Sequence, residues 1–249
     1  MDGKKILTVI LAIILIIPVG RKWYDFLAYR FFDIGFVSSS PLNFEKLSDT
    51  EIKIVGYNSD LDKDFKIPSK ILILPNIYTV TCIGGRAFYR CKNLTSIKIP
   101  NSVTSIGDWV FSHCYSLTNI DLPSSITSIG DWAFANCEVL ANIKIPSNVT
   151  SLGDRAFFHC YSLTSINIPS NVTKIGNSAF ETCTNMTSIE IPSSVVNIGE
   201  KAFYDCKNLK IVIDNTKNNL KIGNDAFHEC ESVTYTKDAT ESTRSTEQQ

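Results

Sequence analysis

Apolar residues recur at a fixed spacing of 23 residues along most of the chain. In one copy, Leu94, Ile97 and Ile99 alternate with polar residues, which predicts a short strand with one buried face. Pro100 follows this strand and ends it, because proline has no N–H to donate to a neighbouring strand. A period of this length is typical of a solenoid, in which each copy forms one coil that packs on its neighbours.

The second half of most copies carries an Ile-Gly pair, a polar residue, an apolar pair and a cysteine. We expect Gly107 to supply backbone freedom for a sharp turn and Asp108 to cap a short helix. Val110, Phe111 and Cys114 fit the inner face of that helix. The predicted fold class is therefore an α/β solenoid, with a parallel sheet on one side and short helices or turns on the other. The copies of Phe111 and Cys114 are Phe134, Phe157, Phe180, Phe203, Cys137, Cys160, Cys183 and Cys206.

The two ends of the repeat region depart from the pattern. Residues 84–235 form the predicted array, and residues 51–83 imitate it with an insertion at 69–79. We predict that 51–83 is an N-terminal cap, because the terminal coil of a solenoid has one uncovered face. Residues 236–249 contain almost no apolar side chain and are predicted to be a disordered tail.

Residues 6–19 are uncharged and almost wholly apolar. We therefore predict an N-terminal hydrophobic helix there, and we interpret residues 1–20 as a membrane signal. Such a helix is about 21 Å long, short of the ~30 Å hydrocarbon core. This length suits a signal peptide, yet no small-residue cleavage site follows directly, so a cleaved signal, an uncleaved signal anchor and a buried helix all stay open. Residues 21–50 are then a juxtamembrane segment, and the array is expected to be extracellular, either membrane-anchored or secreted.

Charge and cysteine usage exclude several classes of protein. The 24 basic and 25 acidic residues give a net charge of −1, which argues against a nucleic-acid partner. Seven of the eight cysteines share one repeat position, so we expect a buried column of thiols rather than disulfides or a zinc site. Cys82 stands outside that column and is predicted to be a partly exposed free thiol.

No set of catalytic residues is visible in the sequence. Of the three histidines, His113 and His159 share a repeat position two coils apart, roughly 10 Å, which is too far for one metal ion. We find no convergent polar groups of the kind that an active site needs. The sequence therefore predicts no enzyme, no cofactor, no metal site and no small-molecule substrate.

Two surfaces are candidates for binding a partner. The first is an outward column on the strand face, whose first three charges alternate in sign and are expected to satisfy one another across the sheet. Its functional interpretation is a shallow polar face for a protein partner. The column consists of Lys98, Asp121, Lys144, Asn167 and Glu190.

The second candidate lies on the opposite side of the coils. Trp109 and Trp132 share one variable repeat position, and Tyr115 and Tyr161 share another. Aromatic residues at variable positions are expected to be exposed, and a cluster of them indicates a contact patch. Against this, single exposed aromatic residues are common on protein surfaces.

The pattern L-x-x-I-x-I-P-x-x-V-x-x-I-G-x-x-A-F-x-x-C resembles the BspA-type leucine-rich repeat over about residues 51–235. Members of that family are typically microbial and protist surface proteins, and several are adhesins. The resemblance implies a surface-displayed protein that binds a protein or cell-surface ligand. The membrane is a further expected partner, through the apolar run at residues 6–19. It implies no binding residues, because the shared positions form the core. The alternative is a scaffold that self-associates or binds envelope components.

Overall fold

A computed structural model describes most of the repeat region and little of what precedes it. The described residues are 34–36, 41–57, 63–73 and 76–237. The hydrophobic helix predicted at 6–19 and residues 238–249 of the predicted tail lie outside these ranges. Within them, no helix is both long and apolar enough to cross a membrane.

Nearly all regular structure in the described ranges is β-strand, and the exception is a 3₁₀ helix at Lys217–Asn219. The strands, in chain order, are β1 (Ile34–Phe36), β2 (Leu42–Lys46), β3 (Glu51–Tyr57), β4 (Asp64–Lys66), β5 (Lys70–Ile73), β6 (Asn76–Ile83), β7 (Ser96–Lys98), β8 (Ser105–Ile106), β9 (Asn119–Asp121), β10 (Ser151–Leu152), β11 (Lys174–Ile175), β12 (Ser188–Ile191), β13 (Asn197–Ile198), β14 (Lys210–Ile213), β15 (Lys221–Ile222) and β16 (Ser232–Tyr235).

The predicted parallel strands are present, but each coil uses two short strand positions instead of one. The first position follows the recurrent leucine and gives the parallel sets β4-β7-β9 and β12-β14-β16. The second position precedes the recurrent glycine and gives the parallel set β10-β11-β13-β15. The chain is therefore a β-solenoid, with strands on two sides of its apolar interior.

The residues before the array form a mixed sheet. β2 and β5 run antiparallel to β3 and β6, and β3 runs parallel to β6. β8 of the array pairs with β6, so this sheet continues into the coils. Both β1 and β2 lie in the segment 21–50 that we predict to be juxtamembrane. The described part of that segment thus contains two strands.

The short helices predicted after each glycine are wrong, because the backbone there takes a left-handed conformation twice per coil. In one coil the two residues are Trp109 and His113, with φ of 59° and 61°. A right-handed helix cannot pass through this region of φ. The Trp109 N–H instead donates to the carbonyl of Asp131 in the next coil, 2.8 Å away. The segment is a series of turns that is hydrogen-bonded from coil to coil.

The role predicted for Asp108 is also wrong, since there is no helix for it to cap. Its Oδ1 accepts the backbone N–H of Asp131, 2.9 Å away at the same position of the next coil. Asp131, Asp154 and Asn177 each accept the N–H of the following coil at 2.8–2.9 Å. This Asp/Asn ladder links five successive coils along one edge.

The recurrent glycines are required by close approach and not by backbone freedom. None of the described glycines has a positive φ, so the predicted role of Gly107 in a sharp turn is wrong. A Cβ atom on Gly153 would lie 2.6 Å from the carbonyl carbon and oxygen of Gly130. Real Cβ atoms do not approach backbone this closely, so any larger residue forces neighbouring coils apart.

The interior is filled by two stacked columns, as the repeat predicts. Six phenylalanines are fully buried with ring centroids 5.2–5.5 Å apart, namely Phe88, Phe111, Phe134, Phe157, Phe180 and Phe203. The cysteines lie beside them, and from Cys114 to Cys230 each thiol donates to the carbonyl of a phenylalanine in the preceding coil, as Cys160 does to Phe134 at 3.2 Å. Burial raises the pKa of Cys160 to about 12.

The thiols are expected to differ sharply in reactivity. At pH 8 a pKa of about 12 leaves roughly one Cys160 in 10⁴ as the reactive thiolate. Cys82 is half-exposed and only accepts a hydrogen bond from Ser105 at 3.2 Å. We predict that iodoacetamide labels Cys82 of the native protein well before Cys160, as measured by peptide mass spectrometry. All eight should label in urea, and equal rates in the native protein would contradict the buried column.

Replacing Gly153 by Ala is predicted to destabilise the protein by about 1–3 kcal/mol, because the added methyl overpacks the contact with Gly130. Gly56→Ala is the matched control, since its Cβ would meet nothing nearer than the Asn43 Nδ2 at 3.7 Å. Urea unfolding of both variants measures the difference. Equal midpoints for the two variants would show that close approach does not explain the recurrent glycine.

Candidate interaction surface on the turn side

Four large side chains stack on one another at the first left-handed position of four successive coils. They are Arg86, Trp109, Trp132 and Arg155, with φ between 54° and 61°. The two indole rings are parallel within 9° and their centroids are 4.4 Å apart. The Arg86 guanidinium lies 5.5 Å from the ring centre of Trp109, and that of Arg155 lies 4.7 Å from the ring centre of Trp132. We name these residues the Arg–Trp–Trp–Arg stack.

Further rings extend this stack into a continuous aromatic surface. Tyr89 packs edge-on against Trp109 with centroids 6.4 Å apart, and Phe158 packs against Trp132 at 5.6 Å. His113 links Tyr89 to Tyr115, and His159 links Phe158 to Tyr161. The structure therefore brings Trp109, Trp132, Tyr115 and Tyr161, which the sequence singles out, onto one surface.

The sequence explains why the two indole rings have room to stack. The position three residues after the stack carries Tyr89 and Phe158 in the outer two coils, but only Ser112 and Ala135 in the tryptophan coils. Both small residues are fully buried. Each of the four coils thus supplies one aromatic side chain from one of two positions. Tyr89 and Phe158 are absent from the residues predicted for this surface. The sequence signal that could have found them is that a coil has a large aromatic residue at one of these two positions and none at the other.

Burial favours the uncharged form of both histidines of this surface. Burial lowers the pKa of His113 below its usual value, and the nearby Arg90 adds to this effect. Burial also lowers the pKa of His159, against the opposing influence of Glu181 and Glu138. They contribute aromatic rings, and the positive charge of the surface comes from its arginines.

Three arginines border the aromatic surface. Arg86 and Arg155 close the two ends of the stack, and the guanidinium of Arg90 lies 5.1 Å from the ring centre of Tyr89. None of the three forms an ion pair with another described residue. Their charge is therefore available to an external partner.

The outward column on the strand face is exposed along its whole length. It lines a shallow hollow of about 560 Å³ bordered by Asp121, Lys144 and Asn167. Lys98 and Asp121 face each other in the register of β7 and β9. The expected mutual pairing is wrong, because no ion pair joins Lys98, Asp121 or Lys144 to a described residue. No described strand pairing joins β9 to the coil of Lys144, and exposed pairs gain little energy from fixing two side chains.

The remaining polar groups of the described residues do not converge on one site. Across the part of the chain that the structure describes, no three His, Cys, Asp or Glu side chains lie close enough to hold a metal ion. Glu190, the last member of the strand-face column, lies exposed in β12, two coils from Lys144. Both candidate surfaces are thus extended and open.

Comparison with known proteins agrees with the stacked coils. The model of the BspA type leucine-rich repeat region matches residues 66–185 and 150–246, with six copies. The chain belongs to the BspA-type leucine-rich repeat family. The recurrent leucine, glycine, phenylalanine and cysteine of this BspA-type protein are the positions that fill its interior or bring its coils together.

Solved structures of bacterial leucine-rich repeat proteins share this fold. The chain is similar to the Treponema pallidum leucine-rich repeat protein, with 28% identity and a TM-score of 0.70, over 84% of this chain and 94% of that one. A Bacteroides ovatus leucine-rich repeat protein is 27% identical with a TM-score of 0.62, over 77% of this chain and 55% of that one. The pneumococcal vaccine antigen PcpA shares the fold at 24% identity, a TM-score of 0.58 and coverage of 72% and 48%. No curated protein matches the chain significantly.

Proposed function

We propose that this BspA-type protein binds a protein or cell-surface ligand through the aromatic surface around the Arg–Trp–Trp–Arg stack. The supporting observation is that this surface is confined to part of the array. The phenylalanine and cysteine columns run through the whole array, whereas the stack occupies only four coils. Tryptophan, tyrosine and arginine are the residues enriched at the energetic centres of protein interfaces.

A purely structural role for these rings is the main alternative on the same surface. A stacked aromatic pair contributes about 0.5–1.5 kcal/mol, and isolated exposed aromatics need no explanation. The number of rings favours binding, because eight lie in one connected group. They are Tyr89, Trp109, His113, Tyr115, Trp132, Phe158, His159 and Tyr161.

A scaffold role is the second candidate, and the last described coil supports it. Phe227, at the end of the phenylalanine column, is half-buried, and its ring lies 6.0 Å from that of Phe203. β16 pairs with β14 on one side, and no other described strand covers its outer edge. An open strand edge can pair with another chain, so a second copy would be the neighbour in this role.

We further propose that the array is displayed outside the cell. This rests on the apolar run predicted at residues 6–19, which is long enough for a signal peptide. An extended repeat surface suits recognition rather than catalysis, so we propose a binding protein and not an enzyme.

The full-length variant Trp109→Ala/Trp132→Ala is predicted to lose at least about 30-fold in affinity for extracellular-matrix or host-cell proteins, since loss of a central interface residue costs ~2 kcal/mol or more. Surface plasmon resonance measures the affinity, and the melting temperature checks that the coils persist. Lys144→Glu on the strand face is the control and should bind normally. Normal binding by the tryptophan variant, with loss in Lys144→Glu, would move the binding site to the strand face.

External protease added to intact cells is predicted to remove residues 84–235, because an exported array is accessible from outside. Immunoblotting follows the array together with a cytosolic marker, which should stay intact. If the array survives while a known surface protein is digested, external display is wrong and adhesion fails with it.

A further inference from the structure

The Arg–Trp–Trp–Arg stack leaves no indole face open to a ligand. Trp109 has Arg86 on one face and Trp132 on the other. Trp132 has Trp109 on one face and Arg155 on the other. A sugar ring or a partner's aromatic side chain normally binds by stacking on a ring face, and that mode is blocked here. What the stack offers to a partner is ring edges and guanidinium groups.

The ring edges and guanidinium groups of the stack share one electrostatic sign, and they belong to residues that are half-buried, except for the exposed Arg86. The edge of an aromatic ring is positive and its face is negative, so the outward edges of the two indoles attract anions. The two guanidinium groups are permanently charged and present several N–H donors in a plane. With Arg90 beside Tyr89, three cations without a described carboxylate partner border one surface. The surface therefore selects hydrogen-bond acceptors that carry negative charge.

Carboxylates of the chain itself do not cancel this charge by direct contact. Asp108, Asp131 and Asp154 precede the residues of the stack, and each accepts the backbone N–H of the next coil through Oδ1. Glu138 acts on the other side of the surface, where it raises the pKa of His113 and His159 against the lowering effect of burial. None of these carboxylates forms an ion pair with an arginine of the surface among the described residues.

The spacing of the two end arginines indicates the shape of the partner. Arg86 and Arg155 are three coil steps apart, which is about 14 Å at ~4.8 Å per parallel strand. An extended peptide rises about 3.4 Å per residue and points alternate side chains to one side, so residues i and i+4 are ~13.6 Å apart on the same face. Two carboxylates at i and i+4 can therefore reach both guanidinium groups, with residue i+2 over the indole edges.

We propose that the Arg–Trp–Trp–Arg stack binds an extended acidic segment of a partner protein, with carboxylates at i and i+4 engaging Arg86 and Arg155. This deepens the proposed binding function at the same surface and rests on it. Arginine binds a carboxylate through two parallel N–H donors, which fixes orientation as well as charge. An acidic protein segment is preferred to a polyanionic sugar because tryptophan and arginine together are typical of protein interfaces.

The test uses the full-length protein and fluorescein-labelled twelve-residue peptides, with binding read by fluorescence anisotropy. The first peptide carries two Asp four residues apart in an otherwise Thr/Ser sequence, the second has the same two Asp three residues apart, and the third has Asn in place of Asp. We expect the first peptide to bind at least about tenfold more tightly than the other two. Equal binding of the first two peptides would overturn the proposed spacing and with it the extended segment.

Variants assign the binding to the stack. Arg86→Gln/Arg155→Gln should weaken the first peptide at least about tenfold while leaving the melting temperature nearly unchanged. Lys174→Gln/Lys221→Gln removes the same charge from exposed residues of β11 and β15, and should alter binding less than twofold. Equal losses of affinity in the two double variants would show that binding depends only on the net charge of the protein, and would overturn the proposal.

The remaining outcomes separate this inference from the proposed function. If a heparin fragment binds in an arginine-dependent manner and no acidic peptide does, the partner is not an acidic protein segment. If no peptide binds, but Trp109→Ala/Trp132→Ala still loses matrix or cell binding, the surface binds by another chemistry and only this inference fails. If the first peptide binds through the arginines while the tryptophan variant keeps full cell binding, the inference stands and the proposed function fails.

Discussion

Neighbouring coils touch backbone to backbone at the recurrent glycine, and the rest of the fold depends on this contact. A Cβ atom at Gly153 or Gly176 would lie within 2.5–2.6 Å of the carbonyl carbon of the glycine one coil earlier. Only hydrogen fits between the coils at this point. With the separation fixed here, the phenylalanine rings alongside reach stacking distance and the thiols reach the carbonyl groups of the preceding coil.

The same close approach compensates for the strain of the left-handed turns. Two left-handed residues in each coil cost roughly 2–4 kcal/mol together, because L side chains are disfavoured in that region. The N–H groups of Trp109, Phe111 and His113, however, donate to carbonyls of the next coil, all at 2.8 Å. Three such bonds contribute about 3 kcal/mol, which offsets most of the strain. A right-handed helix would direct these N–H groups along its own coil and leave the neighbouring coil unbound.

The sequence predicts the parts of this fold that follow from periodicity. The strand at Ser96–Lys98, the buried phenylalanine column and the buried cysteines follow from which positions recur as apolar. It does not predict the left-handed turns. A positive φ is normally marked by glycine or asparagine, but these positions are occupied by residues such as Trp109 and Arg155. Asp108 misleads for a related reason, because one carboxylate oxygen can cap a helix or bridge two coils. The local sequence around the carboxylate is the same for a helix cap and for a bridge between coils. Only the position of the neighbouring coil determines which of the two forms.

The candidate surface shows how the coils of a solenoid align the side chains at a variable position. At the first left-handed position the backbone repeats from coil to coil, so side chains there emerge in the same direction about 4.8 Å apart. Planar side chains that occupy this position in successive coils must therefore stack on one another. The residues at the two ends of such a stack decide which chemical groups the surface presents to a partner. In this chain two indole rings form the stack and two guanidinium groups lie at its ends. The faces of the indole rings are therefore covered by these contacts, and only the positive ring edges are left to contact a partner. A column with the same tryptophans and small neutral caps would instead present open faces to a sugar or a ring. The identity of Arg86 and Arg155, more than that of the tryptophans between them, thus sets the chemistry that this surface presents.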